Sequence, residues 1–246
     1  MGDGRRFLND PLEAKYADVV LTGALEPLLE GGSKQVQAFF RTALGNLTKL
    51  PEHRQIFLTS LSEDDDSLSQ WIAYADNARG FAVGIAGRYL SDHQMFFLRR
   101  VLYDSEAQKK LATRILEIYV SCLGNALDSG DYELAEVYGE IFTIAIHLLT
   151  LCFKDPAFKH EREWRLIDIS IPGFRHQPVQ VRPHAAGVVP YVEFPISSGT
   201  DLQIREIVIG PALDYTQNEA GLLLLKESAA IGFQIRGSSI KFRSGK

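Results

Sequence analysis

The chain has 246 residues, which is enough for one large domain or two small ones with a substantial buried core. Apolar residues make up 46% and charged residues 23%, as in an ordinary water-soluble globular protein. The formal net charge is −5 and no broad basic stripe is present, which argues against nucleic acid as a primary partner. No run of about 18 apolar residues occurs, so we expect no membrane partner.

Cysteine and histidine usage points to a protein without a structural metal. The two cysteines, Cys122 and Cys152, lie in apolar helical patterns, which is typical of small buried side chains in a reducing compartment. The six histidines show no metal-ligand spacing. We therefore expect a cytoplasmic protein and propose no metal site from the sequence.

Apolar spacing and turn residues predict the elements in chain order. The predicted helices cover 11–29, 34–44, 68–75, 105–127, 131–152 and 216–232, and the predicted strands cover 56–60, 80–85, 96–103, 164–171, 191–194, 204–209, 233–235 and 240–242. This order predicts one α+β domain over residues 1–246, with a mixed, mainly antiparallel sheet and a helical insertion at about 104–160.

Three polar segments are interpreted as helix starts. Asp10 and Glu13 form a capping box around Pro11, and Thr216 with Glu219 forms another. The acidic run at 63–66 is interpreted as a solvated turn that caps the following helix. By contrast, the stretch 171–199 holds five of the ten prolines, which predicts irregular structure.

The most informative segment is Glu161-Arg162-Glu163-Trp164-Arg165, which opens a predicted strand. Side chains at i and i+2 of a strand share a face, so Glu161, Glu163 and Arg165 are expected to project together. Two like charges on one face need solvent or cationic partners. A plain alternative is a solvent-exposed pair between Glu163 and Arg165, worth about 0–1 kcal/mol.

Several motifs, taken in order, resemble a bacterial family catalogued as domain of unknown function 2971. They are Asn9-Asp10-Pro11-x-Glu13, Ser60-Leu61-Ser62, Leu68-Ser69-Gln70-Trp71 with Tyr74, Gly80-Phe81-Ala82-Val83-Gly84, Phe153-Lys154, Glu161-x-Glu163-x-Arg165, Ile207-Val208-Ile209-Gly210-Pro211 and Ser239-Ile240-Lys241-Phe242-Arg243. The family name implies no activity.

A second resemblance concerns mechanism. Ser60-Leu61-Ser62 and Glu161-Arg162-Glu163 are similar to the Ser-x-Ser and Glu-x-Glu motifs of ADP-ribosyltransferases, and they stand in the same order. That resemblance implies an Arg or His upstream of Ser60. The candidates are Arg5, Arg6, Arg41, His53 and Arg54.

The ADP-ribosyltransferase resemblance implies NAD as the consumed substrate. Cleavage of the nicotinamide–ribose bond passes through an oxocarbenium-like state, as glycoside hydrolysis does. In this interpretation Glu163 stabilises the developing positive charge, and Glu161 orients or deprotonates the nucleophile. The function expected is an ADP-ribosyltransferase or NAD glycohydrolase with an unknown acceptor, in a toxin or a defence component.

Four further residues complete this predicted site. Ser60 or Ser62 positions Glu163 or the ribose, in a cleft shared with that carboxylate, and Trp71 or Tyr74 stacks on the nicotinamide ring. Each also has a structural interpretation. The serines satisfy backbone groups at a turn, and Trp71 belongs to the core.

Two other function classes are compatible with the same residues. In a non-enzymatic interaction module, the paired carboxylates and the acidic run recognise a basic partner on an exposed face. In a metal-dependent hydrolase or nuclease, the ligands are Asp10, Glu13, Glu161 and Glu163, and at least three carboxylates converge.

Overall fold

The structure, a computed structural model, describes residues 11–30, 33–45, 56–92, 96–169, 178–184, 187–198 and 201–242. The helices are α1 (Pro11–Leu29), α2 (Lys34–Gly45), α3 (Leu68–Tyr74), α4 (Gly87–Asp92), α5 (Ser105–Asp128), α6 (Tyr132–Thr150) and α7 (Tyr215–Ala229), with a 3-10 helix at Pro156–Glu161. The strands are β1 (Ile56–Ser62), β2 (Phe81–Ile85), β3 (Phe97–Arg100), β4 (Glu163–Ile169), β5 (Gln180–His184), β6 (Gly187–Tyr191), β7 (Ser197–Ser198), β8 (Asp201–Leu202), β9 (Ile204–Ile209) and β10 (Gln234–Gly237).

The chain forms two compact units. Unit 1 comprises residues 1–59 and 99–174, and unit 2 comprises residues 60–98 and 175–246. The chain passes from one unit to the other within β1 and within β3. The prediction of a single domain stays a prediction.

Unit 1 is built on four helices that share one apolar core. Helix α1 packs on α5 and α6, and α2 adds Phe40, whose ring meets that of Phe142 edge-on at 4.9 Å between centroids. The N-caps of α5 and α6 are aspartates. Asp104 accepts from the backbone N–H of Ala107, and Asp131 accepts from that of Leu134. These caps fix where the α5–α6 hairpin begins and turns.

Strand β4 is the centre of a three-stranded sheet with the order β1-β4-β3. Its residues Leu166 and Ile167 are buried. The strand starts at Glu163, directly after the 3-10 helix. The carboxylate segment singled out in the sequence therefore lies at the beginning of a central strand.

Unit 2 is organised around β9, which pairs parallel with β10 and antiparallel with β2. Val208 on β9 packs with Trp71 and Ala78 in a small core. The turn after α3 has three consecutive non-glycine residues of positive φ, Asp76, Asn77 and Ala78, at 45°, 54° and 70°. This left-handed turn brings the chain back to the sheet at β2.

The α+β class with mainly antiparallel sheets is confirmed, and the predicted helices of unit 1 occur with nearly their predicted bounds. Strand β3 is shorter than predicted, covering only four residues. The described residues form four small sheets instead of one. Helix α4 was not predicted; its six residues are too few to show helical apolar spacing.

Three local predictions in unit 2 are wrong. Within 171–199, the described residues hold a hairpin, because β5 and β6 pair antiparallel despite Pro183 and Pro190. The N-cap of α7 is Asp214, which accepts from the Gln217 N–H, instead of Thr216. Residues 240–242 form no strand.

Gly210 allows the close contact between the end of β9 and the left-handed turn. A Cβ there would lie 2.6 Å from the carbonyl oxygens of Ala78 and Gly80. Both oxygens are held in place, since they accept from the N–H groups of Ala212 and Gly210. No flexible side chain is available to move aside.

We expect Gly210→Ala to lower the free energy of unfolding by about 1–3 kcal/mol or more, as overpacking does. Urea denaturation measures it. The matched control is Gly221→Ala in α7, where no atom lies within 4 Å of the added Cβ and helix propensity predicts a gain of up to about 1 kcal/mol. Equal stability of Gly210→Ala and the wild type would contradict the contact.

Candidate functional site

The segment Glu161–Arg165 is shaped by a change of backbone conformation. Glu161 ends the 3-10 helix, Arg162 takes a left-handed conformation with φ 47°, and Glu163 opens β4. The side chains at 161, 163 and 165 do converge, as predicted, but the i, i+2 pattern of a strand applies only to Glu163 and Arg165, because Glu161 lies before β4. Their meeting point is the ammonium of Lys154 and the guanidinium of Arg165.

Lys154 lies among three carboxylates. Its Nζ is 2.5 Å from Oε2 of Glu161, 3.0 Å from Oε2 of Glu163 and 2.9 Å from Oε1 of Glu13. Its side chain is only 8% exposed. The three donor protons of an ammonium match three acceptors, so this one buried cation can donate to all three acids.

Arg165 binds the same acids from the other side. Nε donates to Oε1 of Glu163 at 2.7 Å and one terminal nitrogen to Oε2 at 3.1 Å, a bidentate pair. That nitrogen also donates to Oε2 of Glu13, and the other terminal nitrogen donates to the carbonyl of Leu151. The guanidinium is therefore fixed in orientation as well as in charge.

Glu13 reaches this place from α1, far away in sequence. Its two carboxylate oxygens bind different cations, Oε1 the ammonium of Lys154 and Oε2 the guanidinium of Arg165. Asp10, the other half of the predicted capping box, lies outside the described residues. We call the five side chains together the charge cluster: Glu13, Lys154, Glu161, Glu163 and Arg165.

Burial makes the charge cluster a strong electrostatic feature. Burial alone lowers the pKa of Lys154, but its hydrogen bonds to the carboxylates of Glu161 and Glu13 and the negative charge of Glu163 outweigh burial and raise that pKa above its ordinary value. The pKa of Arg165 rises for the same reason, against its own burial. Both cations stay charged at neutral pH, and so each carboxylate retains its counter-charge.

A second layer holds the backbone around Lys154. The side-chain amide of Gln108, fully buried, donates to the carbonyls of Lys154 and Leu102, and its oxygen accepts from the hydroxyl of Tyr16. At Glu163, the backbone N–H donates to the hydroxyl of Tyr103 at 3.0 Å. Helices α1 and α5 thus position the charge cluster through neutral side chains.

The exposed ion pair considered for Glu163 and Arg165 does not describe the structure. The two side chains do pair, but they are 6% and 3% exposed. Among the described residues, no group of three or more His, Cys, Asp or Glu is arranged to hold a metal ion. The centre between Glu13, Glu161 and Glu163 is filled by the ammonium of Lys154.

The predicted ligand-binding serines lie at the end of β1 in unit 2. Oγ of Ser62 accepts from the Asp64 N–H at 3.0 Å and from the side-chain amide of Gln70 at 2.9 Å. Ser62 therefore has the turn-forming role considered as its structural interpretation. The Ser60 side chain is exposed. Ligand contact by either serine stays a prediction.

The two candidate aromatic residues differ in exposure. Trp71 is 4% exposed, and its indole N–H donates to Oδ1 of Asp66 at 2.8 Å. Tyr74, at the end of α3, is 68% exposed, so its ring has accessible surface on which a ligand could stack. Stacking on nicotinamide stays a prediction for both.

Asp66 joins the acidic run to the C-terminal segment of unit 2. Besides Trp71, it accepts from the hydroxyl of Ser238 and from the N–H and hydroxyl of Ser239. Helix α3 has Ser67 as its N-cap, without a side-chain hydrogen bond. The prediction that the acidic run caps this helix is therefore wrong for Asp66, whose oxygens bind indole, hydroxyl and amide donors elsewhere.

The third motif of an ADP-ribosyltransferase is not located. Of its candidates, Arg41 lies on α2, and Arg5, Arg6, His53 and Arg54 lie outside the described residues. From the sequence, Lys154 was not placed in the predicted site, and Glu13 was predicted as a helix cap or, in the metal-dependent alternative, as a ligand beside Glu161 and Glu163. Lys154 and Glu13 both belong to motifs of the family resemblance. The local feature that could have indicated Lys154 is its position shortly after the apolar end of α6.

Residues 70–166 match the family model described as a protein of unknown function (DUF2971). The match confirms the family resemblance that the motifs predicted, and it includes every member of the charge cluster except Glu13. No curated protein and no solved structure matches the chain at a significant level. The likeness to ADP-ribosyltransferases stays a prediction. Within the described part of the chain, no helix is long and apolar enough to span a membrane.

We expect Lys154→Met to lower the free energy of unfolding at pH 7 by about 3–5 kcal/mol, since it leaves buried carboxylates without their cation. The pKa of Lys154 is higher in the folded chain than the ordinary value of 10.5. Its contribution is therefore fully present below that pH and is lost as pH rises through the folded pKa.

Urea denaturation between pH 7 and pH 11 tests this difference. The gap between wild type and Lys154→Met should be constant up to about pH 10 and narrow above it. Lys159→Met, at an exposed lysine nearby, is the control and should match the wild type. A gap that widens above pH 10 would contradict the assignment.

The Asp66 contacts predict an acid-sensitive stabilisation of unit 2. Burial raises the pKa of Asp66, but hydrogen bonds from Ser238, Trp71 and Ser239 outweigh it and lower the pKa to about 2, from 3.8. The folded pKa is depressed, so the contribution is present above 3.8 and lost as pH falls through about 2.

Asp66→Asn should therefore cost about 2 kcal/mol at pH 7 and progressively less below pH 4. Denaturation at pH 7, 4 and 2.5 measures it. Asp128→Asn, at an exposed position, is the control. A cost for Asp66→Asn that persists undiminished at pH 2.5 would refute the argument.

Proposed function

We propose that the chain is an NAD-consuming enzyme of the ADP-ribosyltransferase or NAD glycohydrolase type, in which Glu161 and Glu163 supply the reacting carboxylates. The observation that supports the proposal most is that both carboxylates bind one ammonium, that of Lys154. Their charges are thus held side by side before any substrate arrives. Fixed charges that need no reorganisation are what an oxocarbenium-like transition state requires.

The proposed reaction breaks the C–N bond between nicotinamide and ribose. The bonding pair leaves with nicotinamide, which becomes neutral, and the ribose carbon takes the positive charge. An acceptor hydroxyl or water then forms a bond to that carbon and gives up its proton. With water the products are nicotinamide, ADP-ribose and a proton.

The two acids differ in accessibility, which divides their roles. The side chain of Glu161 is 18% exposed and that of Glu163 6%. In the proposal Glu161 takes the proton of the nucleophile. Glu163, held in a bidentate pair by Arg165, supplies the fixed negative charge.

The predicted contacts with ribose and nicotinamide are part of the same proposal. Ser60 and Ser62 would orient the ribose and Tyr74 would stack on nicotinamide. The large exposed ring of Tyr74 supports its role more than the buried ring of Trp71 supports the alternative. A protein that acts on NAD and modifies an acceptor fits a toxin or a defence component.

The burial of Glu163 weighs against a module that recognises a basic partner through this pair. Such recognition needs accessible carboxylates, whereas the oxygens of Glu163 already bind Arg165 and Lys154. An enzyme needs the pair to be ordered and one of its members to be reachable. Glu161 is the reachable member.

The test is release of nicotinamide from NAD by the purified full chain, preceded by a thermal-shift titration with NAD. We expect the wild type to release nicotinamide and Glu163→Gln to lose it by about 100-fold or more, the scale of removing one fixed transition-state contact.

Glu140→Gln, at an exposed acid of α6, is the matched control and should keep full activity. Circular dichroism and the melting temperature show whether Glu163→Gln remains folded. Wild-type protein that leaves NAD intact with water and with candidate acceptors would contradict the proposal.

A further inference from the structure

We infer that Lys154 is a positioning residue: it holds the carboxylates of Glu161 and Glu163 in the arrangement that the reaction uses. This inference rests on the proposed function. The inference adds a role for Lys154, because the proposed reaction gives Lys154 no chemical step. Lys154 would act only through the two acids.

Contacts other than those with the acids also fix the position of the Lys154 ammonium. The Lys154 N–H donates to the carbonyl of Leu102, and its own carbonyl accepts from the side chain of Gln108. The ring of Phe158 lies 5.1 Å from Nζ, close enough for a cation–π contact. The lysine is therefore anchored at its backbone, along its side chain and at its charge.

The two cations of the charge cluster bind different sets of acids. Arg165 bonds to Glu163, Glu13 and the Leu151 carbonyl. Lys154 bonds to Glu13 and to both Glu161 and Glu163. Within the charge cluster, Lys154 is thus the cation that joins Glu161 to Glu163.

Loss of the ammonium should affect the two acids differently. Glu163 keeps its bidentate pair with Arg165 and stays in place. Glu161 loses its hydrogen bond to the ammonium of Lys154, so its partly exposed carboxylate is held by one contact fewer. Binding of NAD by the rest of the site would change little, whereas the catalytic step would slow.

Lys154→Met alone leaves three carboxylates with one cation and risks failing to fold. The double variant Lys154→Met/Glu13→Gln avoids this. It removes one positive and one negative charge together. The charge cluster changes from three acids and two cations to two acids and one cation, so its net charge stays at minus one. Lys159→Met, five residues along the chain and exposed, is the control.

Two measurements are made on wild type, double variant and control. The first is the rate at which a water-soluble carbodiimide labels Glu161, read by peptide mass spectrometry with exposed Glu140 as reference. The second is the pair of constants kcat and KM for nicotinamide release from NAD. A role in folding alone would not change kcat selectively in a protein that remains folded.

The inference predicts slow labelling of Glu161 in the wild type and faster labelling in the double variant, with Glu140 labelled equally in both. It predicts that kcat falls roughly tenfold to a hundredfold, the cost of misplacing a catalytic group, with KM changed less than about twofold. Lys159→Met should behave as the wild type in both measurements.

Unchanged labelling of Glu161 in the folded double variant overturns the inference, whether or not nicotinamide is released from NAD. An unchanged kcat in a variant whose Glu161 is labelled faster than in the wild type overturns it as well. If the wild type releases no nicotinamide but Glu161 is labelled faster in the double variant, the proposed function fails, while the positioning of the two acids by Lys154 is supported.

Discussion

The buried ammonium of Lys154 is the interaction on which the arrangement of unit 1 depends. Three acids converge on it, from α1, from the end of the 3-10 helix and from the start of β4. Without a cation, three carboxylates at this depth would repel one another and lack solvation. One charge therefore ties together elements that lie more than 140 residues apart in sequence and fixes the carboxylates that we propose to act on NAD.

Unit 2 follows the same physical rule with the opposite sign of ion. The carboxylate of Asp66 accepts from an indole N–H, two hydroxyls and a backbone N–H, and the guanidinium of Arg236 lies 4.0 Å from its Oδ2. Unit 1 thus contains a buried ammonium and unit 2 a partly buried carboxylate, and in both the hydrogen-bonding groups of the charge are occupied. In each unit, residues of the family-like motifs lie at or beside that charge: Glu161 to Arg165 in one, Trp71 and Ser239 in the other.

Sequence patterns correctly predicted those parts of the structure that depend on interactions between residues close in sequence. Apolar spacing predicted the helices α1, α5 and α6, and the i, i+2 rule predicted that Glu163 and Arg165 share one face of β4. The ion pairs of Glu13 were not predicted because Lys154 and Arg165 lie far from it in sequence. Lys154 was not placed in the site because an isolated lysine after a helix is ordinarily explained by the helix dipole. The hairpin β5–β6 escaped because its prolines signal irregular structure, although both strands of a two-stranded hairpin are edges and tolerate proline.

The protonation and burial of Lys154 can be observed directly by nuclear magnetic resonance of lysine side-chain nitrogens at neutral pH. An ammonium enclosed by three carboxylates should exchange its protons slowly, giving a signal that exposed lysines do not give. We predict one such signal in the wild type and its absence in Lys154→Met/Glu13→Gln. Spectra without a slowly exchanging ammonium, or with one that survives in the double variant, would contradict the account.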